Sequence, residues 1–103
     1  MIEFIKKIFG IKTVDFRELV NKGAVIIDVR SPMEFKSGSI KGAKNYPVES
    51  IRNKVADIKK LNKPVITVCR SGARSSMAKS ILKSAGIEAY NGGPWTSLQS
   101  KIR

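Results

Sequence analysis

Most of the chemistry available to this sequence lies in one short segment, Cys69-Arg70-Ser71-Gly72-Ala73-Arg74-Ser75, which holds the chain's only cysteine. A thiolate is a strong nucleophile and a thiol a weak one, so what matters is how Cys69 would be ionised. The chain contains no histidine, so no imidazole base is available. The small residues and Gly72 instead allow successive backbone N–H groups to curl around one point. Such a nest at a helix N-terminus stabilises an anion, and Arg70 and Arg74 add positive potential. We therefore expect Cys69 to titrate below the ~8.5 of a free cysteine. The plain alternative is a buried core thiol, since free cysteine is among the most buried residue types. Flanking cations and a glycine loop do nothing for a core thiol, which favours the reactive reading.

A nucleophile in such a loop must be presented by the elements around it. Pro64 to Val68 is a continuous apolar run rich in β-branched residues, the pattern of a strand buried on both faces, and it ends directly at Cys69. Ala73 to Ala85 has helical periodicity and is stopped by Gly86. Cys69 is thus expected at the carboxyl end of a strand, where open α/β sheets place their ligands. Ala24 to Val29 reads as a second buried, central strand. Shorter strands are expected at Ala43 to Tyr46 and Ile87 to Tyr90, the latter followed by a turn at Asn91-Gly92-Gly93-Pro94. Between them fall helices over Asp15 to Val20 with Thr13 as cap, Met33 to Lys36 opened by Ser31-Pro32, Ser50 to Leu61, and Trp95 to Ile102. This alternation predicts a three-layer α/β domain, with a mostly parallel central sheet of about five strands and helices on both faces.

The 103 residues, 42% of them hydrophobic, suit one compact domain over residues 11–103. Residues 1–10 read as an amphipathic helical extension, with Ile5, Ile8 and Phe9 on one face and Lys6 and Lys7 off it. The segment lacks the small-residue cleavage site of a secretory signal, and no apolar run approaches the ~20 residues of a membrane span, so a cytoplasmic protein without stable membrane insertion is expected. Twenty Lys and Arg against eight Asp and Glu give a net charge of +12, which draws anionic partners. The charge is dispersed and aromatics are few, which argues against a nucleic-acid partner. One cysteine and no histidine argue against a bound metal, and no cofactor is expected.

In several separated places the chain resembles the rhodanese-like domains. The resemblance runs from Thr13 to Trp95 through Ile27-Asp28-Val29-Arg30, Ser31-Pro32-Met33-Glu34-Phe35, the stretch from Gly38 to Pro47, the Cys69 to Ser75 loop, and Asn91-Gly92-Gly93 before Trp95. It implies sulfur transfer through a persulfide on Cys69, from a small anionic donor such as thiosulfate to an external thiol or cyanide. An acidic redox protein would suit the basic surface as acceptor. Arg70 is expected to recognise the substrate anion, and Arg74 to brace the loop against Asp28 or Glu34. Asp28 and Arg30 are read as structural support, and Trp95 as core packing, with a place along one wall of the site as the open alternative. One departure is Ser39, where the family often has histidine. Two other readings stand beside this one: a noncatalytic sulfur-carrying or docking module, and a phosphatase or arsenate reductase using the same thiolate. Phosphatases with a cysteine nucleophile place five residues between cysteine and arginine, whereas four separate Cys69 from Arg74.

Overall fold

The computed structural model describes residues 13–103; the extension expected over residues 1–10 lies outside the described residues. In chain order the elements are α1 (Phe16–Asn21), β1 (Val25–Asp28), α2 (Pro32–Ser37), β2 (Lys44–Asn45), a 3-10 turn (Val48–Ser50), α3 (Ile51–Lys60), β3 (Val65–Cys69), α4 (Ala73–Ser84), β4 (Ala89–Pro94) and α5 (Trp95–Ile102). Among the described residues the sheet has four strands rather than about five, in the order β2-β1-β3-β4. Every pairing is parallel. From β1 the chain crosses to β2 on one side, then returns past β1 to β3 and β4 on the other. The order therefore reverses between β1 and β3, which opens a crevice at their carboxyl ends.

Strand alternation divides the core into two layers. Ile27, Val29, Val65 and Cys69 face Ile51, Ile58, Ala78 and Leu82 of α3 and α4. Ile26, Ile66 and Val68 face the other way, toward Leu98 and Trp95 of α5 and Phe16, Leu19 and Val20 of α1. Buried on both sides, β1 and β3 are built mainly of valine and isoleucine, and the polar side chains they do bury, Asp28 and Thr67, are hydrogen-bonded. Cys69 points into the α3–α4 layer.

Local signals explain the starts of α1 and α2. Ser31 caps α2 in a capping box: its Oγ accepts the Glu34 N–H at 3.3 Å, and Glu34 Oε1 accepts the Ser31 N–H at 3.0 Å. Pro32 fills the first helical position, where no N–H partner is required. At α1 the cap is Asp15 rather than Thr13, with Asp15 Oδ1 accepting the Glu18 N–H at 3.1 Å. An Asx side chain is the stronger cap, and this one lies immediately before the helix.

The last strand runs further than expected. Asn91-Gly92-Gly93-Pro94 is not a turn after β4 but the last four of its six residues. Thr67 aligns with Asn91 and Cys69 with Pro94, so β4 carries one extra residue there, a bulge in which Gly93 has φ +76°. Glycine is a poor strand former, but the pairing requires it here. A Cβ on Gly92 would lie 2.9 Å from both Ile66 Cγ2 and Val68 Cγ1, and 3.1 Å from the Thr67 carbonyl oxygen. Gly92→Ala is therefore expected to overpack the β3–β4 interface and cost about 1–3 kcal/mol. Urea denaturation of the two chains measures this, and equal stability would show that β4 can move away from β3.

Candidate active site

The end of β3 and the start of α4 are joined by a turn that wraps around Cys69 Sγ. Gly72 occupies the N-cap position of α4 with φ +101°, a left-handed conformation that a side chain disfavours. This turns its N–H onto Sγ at 2.9 Å. One helical turn later the Ser75 N–H reaches Sγ at 3.4 Å, and the Ser75 hydroxyl lies 3.3 Å from it. Cys69 is a free thiol with no exposed surface. Burial pushes the thiol's pKa up, but the hydrogen bonds of the Ser75 hydroxyl and of the Ser75, Gly72 and Ser71 N–H groups outweigh it and hold Cys69 below its ordinary value. The direction agrees with expectation, and so does the nest of N–H donors. Hydrogen bonding is the leading cause of the lowering, while the charge of Arg74 also couples to the thiolate.

The two loop arginines take different positions. Arg74 turns back across α2 and grips Glu34 with both nitrogens, Nη1 to Oε1 at 2.7 Å and Nη2 to Oε2 at 3.0 Å. Of the two acidic partners considered for Arg74, it is thus Glu34 that it meets. The guanidinium, helped by the Ser31 N–H, holds the Glu34 carboxyl down at about 2. Arg70 is exposed at the rim of the loop, as are Ser71 and Ala73.

Asp28 and Arg30 form a neighbouring wall without touching Cys69. Arg30 Nε donates to Asp28 Oδ1 at 2.9 Å and Nη2 to Oδ2 at 2.7 Å, and the pair is buried. The same Nη2 donates to the Gly38 carbonyl at 2.6 Å, and the guanidinium stacks 4.9 Å from the centre of the Trp95 ring. With both carboxylate oxygens so engaged, Asp28 is no proton donor to the loop.

Two polar residues outside the expected set complete the site. Asn91 Oδ1 accepts the Ser75 hydroxyl at 2.7 Å and the Gly93 N–H at 2.8 Å, while its Nδ2 donates to the Gly72 carbonyl at 3.2 Å. Thr67 Oγ1 donates to the Ser75 carbonyl at 2.8 Å. Both lie within their strands, Thr67 at the middle of β3 and Asn91 in β4, directly opposite one another in register. A polar residue inside an otherwise apolar buried run, as at Thr67, is the available signal. A cavity of about 300 Å³ lined by Lys59, Lys63, Pro64 and Glu88 lies at the opposite, amino-terminal end of β3 and β4, away from the thiol. Among the described residues no cluster of three or more His, Cys, Asp or Glu side chains is placed to hold a metal.

The family model of the rhodanese-like domain matches residues 13–94. The chain is 39% identical over 69 residues to the uncharacterized protein YqhL of Bacillus subtilis, a match covering 66% of this chain and 54% of that protein, so the chain spans about half of its length. It is 33% identical over 116 residues to a putative mitochondrial thiosulfate sulfurtransferase of Schizosaccharomyces pombe, covering 91% of this chain and 82% of that one. Among solved structures it superposes on the human single-domain sulfurtransferase TSTD1 with a TM-score of 0.67 at 30% identity, covering 82% of this chain and 89% of that one.

The Arg74–Glu34 bridge has a definite pH signature. A carboxyl held at about 2 in the folded chain contributes stability above its ordinary pKa of 4.5, and loses it as pH falls from there through about 2. Both side chains are about one-third exposed, 36% and 31%, so the bridge is worth no more than about 1 kcal/mol. Glu34→Gln, which keeps the capping box, is expected to lower stability by roughly that amount at neutral pH and by nothing near pH 2. Urea unfolding of both chains across this range checks it; a difference that does not change with pH would contradict the assignment.

Proposed function

The chain belongs to the rhodanese-like domain family, and on that premise we propose that it is a sulfurtransferase that carries sulfur as a persulfide on Cys69. The observation carrying this reading is the ring of donors on Sγ, which favours a thiolate where no base is present. The Cys69 thiolate attacks the outer sulfur of thiosulfate. A new Sγ–S bond forms, the S–S bond of thiosulfate breaks, and sulfite departs with the bonding electrons. The negative charge then resides on the outer sulfur of the persulfide. In the second half-reaction an acceptor thiolate or cyanide attacks that outer sulfur, and Cys69 leaves as a thiolate. Neither leaving group needs a proton, which agrees with a site whose carboxylates are tied up in ion pairs. The chain has one cysteine, so the acceptor is another molecule.

Arg70, exposed on the rim, is the cation assigned to receive the anionic donor. Thiosulfate as donor is supported by the Schizosaccharomyces pombe relative, which carries that activity in its name. The basic surface favours an acidic acceptor protein, and a cytoplasmic setting fits a free thiol. A phosphatase or arsenate reductase is the weaker reading, because Arg74 commits both its terminal nitrogens, Nη1 and Nη2, to Glu34 and so cannot offer that fork to a tetrahedral oxyanion. A noncatalytic carrier would load Cys69 but turn over slowly, so the rate of sulfite release separates carrier from enzyme.

Intact mass after incubation with thiosulfate, without reductant, tests the reading directly. A gain of one sulfur atom is expected, reversed by a reducing agent and absent from Cys69→Ser. Failure to load from both thiosulfate and polysulfide would overturn the persulfide mechanism.

A further inference from the structure

The hydrogen-bond geometry around Ser75 does more than hold the loop in place. The Asn91 amide can face only one way: its Nδ2 meets the Gly72 carbonyl at 3.2 Å and its Oδ1 meets the Gly93 N–H at 2.8 Å. Reversing it would set donor against donor and acceptor against acceptor. Asn91 Oδ1 only accepts, so the Ser75 hydroxyl, 2.7 Å away, must donate to it. A hydroxyl has one hydrogen. A lone pair of Ser75 Oγ therefore faces Cys69 Sγ at 3.3 Å. That arrangement suits a thiol, whose S–H donates to Oγ and completes a chain from Sγ through Oγ to Oδ1. It does not suit a thiolate, whose charge would meet the lone pair. On ionisation the hydroxyl must swing its hydrogen to the sulfur, leaving Oδ1 with the Gly93 N–H alone.

We propose that Asn91 is a positioning residue that sets the basicity of the Cys69 thiolate by competing with it for the single hydrogen of Ser75. This rests on the reading of Cys69 as the working nucleophile. Hydrogen bonds to charged groups are the stronger kind, so the thiolate takes the hydroxyl, but the bond to Asn91 is lost each time. The thiolate is held less tightly than Ser75 alone would hold it, and a more basic thiolate attacks faster. Once Sγ is bonded to a second sulfur it carries neither charge nor hydrogen, and Ser75 returns its hydrogen to Asn91. The hydroxyl thus changes partner between the two half-reactions without any covalent bond being made or broken. The charged groups around Cys69 are Arg74 of α4, which feels the thiolate together with Glu34 of α2 and Glu49 of the 3-10 turn, and Arg70, the exposed residue next in the chain. None of these is hydrogen-bonded to Ser75 or Asn91, so their influence is common to the variants below.

Titration of the ultraviolet thiolate absorbance of the intact chain tests the proposal, with the Cys69→Ser chain subtracted to remove the tyrosines. Cys69 is the only cysteine, so the signal is its own. Ser75→Ala is expected to raise the midpoint and Asn91→Ala to lower it, each by about 0.5 to 1 pH unit, with Ser75→Thr restoring the original value. In the Ser75→Ala background, Asn91→Ala is expected to change nothing. A merely structural asparagine would loosen the loop and raise the midpoint, with or without Ser75. An increase or no change on Asn91→Ala, or an equal shift in both backgrounds, overturns the proposal. Should Asn91→Ala not fold, Asn91→Ser, too short to reach Ser75, carries the same expectation. No sulfur donor enters the titration. A chain that titrates as expected yet takes up no sulfur would disprove the persulfide while leaving Asn91's role intact, and the reverse result would do the opposite.

Discussion

A carboxylate without access to water stands at the carboxyl end of β1, and much of the site depends on how it is neutralised. Asp28 is fully buried, and an isolated charge there would carry a desolvation penalty of several kcal/mol. Arg30, two residues on, meets it with a side-chain fork and with its own backbone N–H at 3.0 Å. The pair is also a junction. Through Nη2 it fixes the Gly38 carbonyl beyond the end of α2, and through the face of the guanidinium it fixes Trp95 at the start of α5. The Asn45 side chain of β2 donates to the carbonyls of both Asp28 and Arg30, at 2.9 Å each. Three elements are thereby gathered at the end of the sheet where Cys69 emerges. A buried ion pair rarely adds much net stability, so the main effect of this one is specification of that geometry.

Against this frame the sulfur occupies an unusual balance. It is covered as completely as any core residue, and burial alone would make it inert. What separates it from a core thiol is the direction of a few N–H groups, set by a left-handed glycine and the first turn of a 12-residue helix. Coverage and activation come from the same loop.

Much of this could be read from the residues in order. Uninterrupted β-branched runs gave away β1 and β3, because strands covered on both faces admit little else. The capping box at Ser31 and the glycine at the loop are local signals and were readable as such. The Arg74–Glu34 contact was open only as one of two acidic choices, since 40 residues separate its partners and the sheet order decides between them. Less legible were features that depend on register. Asn91-Gly92-Gly93-Pro94 has the composition of a turn, yet becomes strand because β3 leaves room beside it only for glycine. Asn91 and Thr67 become part of the site by facing each other across that pairing. Proximity in sequence says nothing of where a guanidinium points, and Arg74 points to Glu34, which leaves the N–H nest as the leading cause of the lowered thiol pKa.

The contacts that complete the loop are nearly all distant in sequence: 40 residues from Glu34 to Arg74 and 16 from Ser75 to Asn91. The turn at Gly72 can form early, but its braces exist only after four parallel strands have found their order, and such pairings are slow to form. A nascent or partly unfolded chain therefore carries an ordinary cysteine, mostly protonated at neutral pH. Reactivity arrives last, as a property of the finished molecule.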